Sequence, residues 1–152
     1  MQRKTQMKTN QLTGAALDWA VVKCECDMPA PFKSIPVVLN GTVRVFRGDM
    51  GLHSDPISPS TNWAQGGMII ERESIFIVRE KAGHMGRRLW AATLGANKAV
   101  GIGEESIKLY RDAFVCGPTP LIAAMRCYVA SKMGDEVEIP TELTQGEAAC
   151  LI

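Results

Sequence analysis

The pair Asn40-Gly41, set between Val37-Val38-Leu39 and Thr42-Val43-Arg44-Val45-Phe46, constrains this chain more than any other feature. A type I′ turn needs positive φ at both central residues, and Asn-Gly supplies it, so the flanking β-branched runs are predicted to form an antiparallel hairpin. With a two-residue turn, Val38 faces Val43 and shares its face with Val45 and Pro36. Ile35-Pro36 favours an extended approach to the first strand. One face of such a hairpin must be covered by other elements.

Two helical segments are available as cover. Over 13–26, Leu17, Ala20, Val21 and Cys24 recur at helical spacing behind an N-cap at Thr13, and Leu12 is placed to staple onto Leu17. Trp19 lies off that stripe with Ala15 and Val22, so this helix is expected to be covered on two sides, with Trp19 in the core. Met28-Pro29-Ala30-Pro31 ends it. A second helix is predicted over 120–133, with Thr119 as N-cap, Pro120 at N1 and Gly134 as the stop. Leu121, Met125, Tyr128, Val129 and Met133 form its apolar face, and Arg126, Ser131 and Lys132 fall elsewhere. The short apolar runs at 68–70, 75–78 and 88–94 read as strands. Residues 47–67 read as mostly loop, 83–86 and 95–103 as turns, and 104–114 as either helix or strand. The expected fold class is α+β, a small mixed or antiparallel sheet packed with two main helices at about 13–26 and 120–133. Its expected organisation is a flexible N-terminal extension over 1–9, a single domain over 10–140 and an acidic C-terminal tail over 141–152.

Composition narrows the function classes. A length of 152 residues, 46% of them apolar and 22% charged, fits one globular domain. The net charge of +1 removes the electrostatic footprint of a nucleic-acid binder. Charge is nonetheless uneven: Arg79, Lys81, Arg87 and Arg88 crowd one segment, while beyond Gly134 the charged residues are all acidic. Either patch is a solvated surface or a docking site for a host protein. The cysteines at 24, 26, 116, 127 and 150 are odd in number and follow no secretory signal, which argues against a disulfide framework. No apolar stretch reaches the length of a membrane span, so a cytoplasmic location is expected. Cys24-Glu25-Cys26 lacks zinc spacing, and His53 and His84 have no second ligand at helical spacing. No Walker loop, nucleophile elbow or zinc-protease helix occurs, and no metal or cofactor is expected.

Three blocks carry a family resemblance. Leu12-Thr13-Gly14-Ala15-Ala16-Leu17-Asp18-Trp19-Ala20-Val21 is the first. The second is Ser58-Pro59-Ser60-Thr61-Asn62-Trp63-Ala64-Gln65-Gly66-Gly67, continuing as Met68-Ile69-Ile70-Glu71-Arg72-Glu73. The third runs from Gly117-Pro118-Thr119-Pro120 through the second predicted helix to Asp135. In this order they resemble the NinX-like proteins of lambdoid phages and prophages. Met68 stands where that family's motif has proline, and Met7 resembles a family start, making the first six residues an upstream extension. The resemblance implies a small protein made inside an infected bacterium and supplies no reaction.

The 58–67 segment is the best site candidate in the sequence. Ser58, Ser60 and Thr61 offer hydroxyls, Asn62 and Gln65 side-chain amides, Trp63 an indole, and Gly66-Gly67 close backbone approach. Such groups suit a small polar or nucleotide-like ligand stacked on Trp63. The competing reading is an Ω-loop whose polar side chains cap its own backbone, with Trp63 plugging the core. Glu71 and Glu73 would share a face on a strand, where a solvated or salt-bridged pair is favoured over acid–base chemistry, and Glu71 is the better candidate. Thr119 at a helix N-terminus and Arg126 further along are further ligand candidates, although capping and an ion pair explain them equally well. The leading expectation is a non-enzymatic phage accessory protein that binds a nucleotide-like ligand and acts on host physiology or defence. Its rival is an interaction module docking on a host or phage replication factor. A hydrolase using Glu71 and a water is third, and self-association is compatible with all three.

Overall fold

The computed structural model describes residues 3–26, 34–47, 52–53, 55–79, 89–94 and 114–144. Asn40 and Gly41 adopt φ of 53° and 71°, the left-handed pair that a type I′ turn requires. They join β2 (Ser34–Leu39) to β3 (Thr42–Arg47) in the predicted register, with Val38 opposite Val43 and Pro36 opposite Val45. The two-residue β4 (Leu52–His53) extends this sheet beside β3. Its inner face rests on α1 (Gly14–Cys26).

A second antiparallel sheet has the order β5 (Ile75–Arg79), β6 (Trp90–Leu94), β7 (Val115–Gly117). It packs on α3 (Pro120–Met133), whose limits are those predicted. Thr119 caps α3 by accepting the Ile122 N–H at 3.1 Å, and Pro120 opens the first turn. Between α1 and β5 in the chain, α2 (Trp63–Glu73) lies against α3.

The helices α1 and α3 pack together at the centre, each with a sheet on its outer side. Their sequences show why. Residues 16–22 of α1 are all buried, and so are 123–129 of α3. A helix that is apolar on every side must be enclosed. One core cluster therefore draws on α1, α2, α3 and strands of all the sheets, with Leu12, Leu17, Met125 and Ile139 among its fully buried members.

The structure corrects several expectations. The run at 68–70 is not a strand but the middle of α2, because Ile69 reaches the core from a helical face. Glu71 and Glu73 consequently diverge by about 200° instead of sharing a strand face. Trp63 does not plug the core; it is 57% exposed at the first residue of α2. Arg126, placed off the apolar face, is buried, since α3 has no exposed side along its middle. Residues expected in a flexible extension form β1 (Lys4–Lys8), which pairs antiparallel with β8 (Glu136–Pro140). The start of the expected acidic tail is a helical turn, α4 (Thr141–Thr144), that buries Leu143. The turns at 83–86 and 95–103, the 104–113 segment, Lys81, Arg87, Arg88 and residues 145–152 lie outside the described residues.

Candidate functional site

The candidate segment divides into a tight turn and a helix head. Ser58 O accepts the N–H groups of Thr61 at 3.1 Å and Asn62 at 2.8 Å, closing the turn. Asn62 then caps α2, its Oδ1 accepting the Ala64 N–H at 2.9 Å. Gln65 folds back over the turn: its Oε1 accepts the Ser58 N–H at 2.7 Å, and its Nε2 points at Pro56 O, 3.4 Å away. Gly66 is packed from the inside, for a Cβ there would sit 2.3 Å from Pro59 O and 2.6 Å from Leu121 Cδ2. Gly67 has no such neighbour; a Cβ there would find its nearest atom, Trp63 Cε3, at 3.9 Å. The polar groups of the motif thus largely serve the motif itself.

The turn is anchored by a residue that the sequence did not single out. Asp18, buried in the middle of α1, accepts the Ser60 N–H at 2.8 Å through Oδ1. Burial pushes this carboxyl above its ordinary pKa, while the hydrogen bond from the Ser60 backbone pulls it back only partly. Ser60 is 1% exposed, and its Oγ has no partner in hydrogen-bonding geometry among the described residues. The one available signal was a carboxylate inside the apolar run Leu17-Asp18-Trp19, which marks a buried acid in need of a donor.

A second polar cluster joins the far ends of the helices. Arg72 of α2 grips Glu25 of α1 with two hydrogen bonds, Nη1 to Oε2 at 3.0 Å and Nη2 to Oε1 at 2.6 Å, and its Nε donates to Glu73 at 2.9 Å. Tyr128 of α3 donates its hydroxyl to the same Glu25 oxygen. Burial alone would raise the Glu25 pKa, but hydrogen bonds from Arg72 and Tyr128 and the charges of Arg72 and Lys132 outweigh it and hold the carboxylate ionised. Burial and the bond to Glu25 push the Tyr128 hydroxyl well above its usual range. This satisfied ion pair clamps three helices together.

The other candidates are dispersed. Glu71 is exposed on α2, Thr119 serves as the α3 cap, and Arg126 donates to Leu12 O at 2.8 Å and Cys116 O at 2.9 Å, tying the segment before α1 and β7 to α3. Burial pushes the Cys127 thiol up to about 11, and burial with the Glu25 charge raises that of Cys26, the reverse of an activated nucleophile. A groove between Asn10, Val115, Met133 and Glu136 lies away from the 58–67 segment, and a neighbouring one runs past Cys116 to Arg126. The large apolar side chains exposed on α2 are Trp63, at 57%, and Met68, at 70%, about 140° apart around the helix.

Together these features define a small α+β protein in which a braced helix head presents an aromatic side chain to solvent. The family comparison takes this further: residues 8–132 match the profile described as Bacteriophage P22, NinX, and the chain belongs to that family. It is a phage accessory protein. A search of curated proteins finds no match. Among the described residues no helix is long and apolar enough to cross a membrane.

Proposed function

We propose that this protein acts as a non-enzymatic docking module that engages a host or phage protein through the head of α2. The observation that carries this reading is the exposure of Trp63 on a helix start that is held from beneath by Asn62, Gln65, Gly66 and the Ser60–Asp18 bond. Tryptophan and methionine are enriched at protein interfaces, and an aromatic fixed on a rigid element loses little entropy on binding. Small-ligand sites, by contrast, are concave and present convergent polar groups. Here the side chains of Ser60, Asn62 and Gln65 are occupied within the turn or turned into the protein.

The test is affinity capture from infected and uninfected host cells, followed by titration of the purified partner against the full chain. Replacing Trp63 with Ala is expected to weaken the complex about 30-fold or more, as for a central hot-spot residue, with an unchanged melting temperature. Equal affinity of wild type and W63A for that partner would overturn the proposal. A nucleotide-like ligand stacked on Trp63 is the second reading, favoured by the exposure of Thr61 two residues before the indole. Calorimetry with nucleotides and cyclic dinucleotides separates the two, since only the second reading expects heat of binding that disappears in W63A.

A further inference from the structure

The described sheet edges differ in how they are protected. In a two-residue hairpin the residues flanking the turn, Leu39 and Thr42, exchange both hydrogen bonds, and such pairs recur at every second position. Pro36, opposite Val45, therefore turns its nitrogen toward the open side of β2 and removes a donor there. In β7 the Cys116 carbonyl accepts a hydrogen bond from Arg126. The β1–β8 ribbon carries Lys4, Lys8, Glu136 and Glu138 along its length. These are familiar devices that discourage strand addition.

Among the described residues β5 is the least protected, with a single charge, Arg79, at its last position. It stands at the end of its sheet, and Ile75-Phe76-Ile77-Val78 contains no proline and no charge. Its inner face places Ile75 in the core, whereas Phe76 and Val78 remain 42% and 36% exposed. Charge along the segment has a direction: Glu71 is exposed ahead of the strand, Arg72 and Glu73 beside it pair with each other at 2.9 Å, and Arg79 closes the strand.

We propose that β5 is a self-association edge, pairing antiparallel with β5 of a second copy about a two-fold axis at Ile77. That register sets Phe76 against Val78 of the other copy, twice, and lays apolar side chain on apolar side chain. It also brings Arg79 of each copy, which stacks on Trp90 of its own sheet, to the end of the strand where α2 delivers Glu71, so that unlike charges meet. A parallel arrangement would set like charges side by side. The two three-stranded sheets join into one of six strands, and the β5 edges of both copies are closed at once. The interface is distinct from the Trp63 surface proposed for docking.

The experiment is sedimentation velocity with light scattering on the full chain from about 1 to 100 µM, a range that brackets a typical weak homodimer. A dimer is expected, unaffected by W63A. Burying two phenylalanines per dimer implies that Phe76→Lys weakens association about 100-fold or more while circular dichroism and melting remain unchanged. Arg79→Glu, on an exposed side chain, also weakens it, and the exchange Glu71→Arg with Arg79→Glu restores it. A monomer throughout the range, or a dimer that survives Phe76→Lys, overturns the proposal; failure of the charge exchange to restore association overturns the antiparallel register.

Discussion

Gly66 and Gly67 are neighbours with opposite roles. A methyl group at Gly66 meets the Pro59 carbonyl at 2.3 Å, and backbone cannot yield as a flexible side-chain end can. Gly66→Ala is therefore expected to destabilise by about 1–3 kcal/mol, as overpacking does, and to lower the melting temperature by several degrees. Gly67→Ala adds its methyl at ordinary contact distance inside a helix and is expected to stabilise by about 0.5–1 kcal/mol. Thermal melts of the two variants check both signs. Asp18 gives a pH-dependent prediction. Its folded-state pKa is raised, so the native state binds the proton more tightly than the unfolded chain does. Its contribution is fully present below the unfolded carboxyl value and is lost as pH rises through the raised folded value. Asp18→Asn keeps an acceptor for the Ser60 N–H but does not titrate, and is expected to abolish that part of the slope in urea melts as pH rises above the ordinary carboxyl range. In the sequence, Ser60 and Asp18 are separated by 42 residues with nothing to link them, which is why the motif was legible as a unit but its anchor was not.

At the scale of elements, β2–β3 and α3 could be read from the sequence because their signals are local. An Asn-Gly turn fixes a register, and Thr119, Pro120 and Gly134 mark both ends of a helix. α2 was not legible, because Pro59, Gly66 and Gly67 suggest loop and a three-residue apolar run suits strand as well as helix. Packing decides the matter: Gly66 allows the helix to approach the Pro59 carbonyl and Leu121, and the Arg72 clamp fastens its other end to α1 and α3. α2 ends at Ser74, which adopts φ 53° and donates its N–H to the carbonyls of Ile70 and Glu71. This is a left-handed cap occupied by a residue with a Cβ, and such a conformation is disfavoured outside glycine. Ser74→Gly is expected to raise stability by about 0.5–1 kcal/mol, the strain relieved exceeding the entropy added to the unfolded chain. Denaturant midpoints of the two proteins test it, and a fall in the midpoint would show that the Ser74 side chain contributes more than its backbone strain costs.

On the scale of the whole molecule, the family match and the folded unit have different limits. The match runs over 8–132, yet the core continues into β8 and α4. β8 rests on both central helices, and Val137, Ile139 and Leu143 are members of the same cluster as Leu17 and Met125. β1, at the opposite terminus, completes the ribbon by pairing Met7 with Val137 and Thr5 with Ile139. Sequence periodicity missed this closure because the two strands are short, mostly polar on their outer face and nearly the whole chain apart. Their energetic weight is not small. Burying three aliphatic side chains contributes about 5–9 kcal/mol by transfer free energy, comparable to the 5–15 kcal/mol that holds an ordinary domain together. A chain trimmed to residues 8–132 is thus expected to lose cooperative melting, retaining helical circular dichroism while binding hydrophobic dyes. If the 8–132 fragment instead unfolds cooperatively near the full-length temperature, α1 and α3 with their two flanking sheets are sufficient, and the ribbon serves something other than stability.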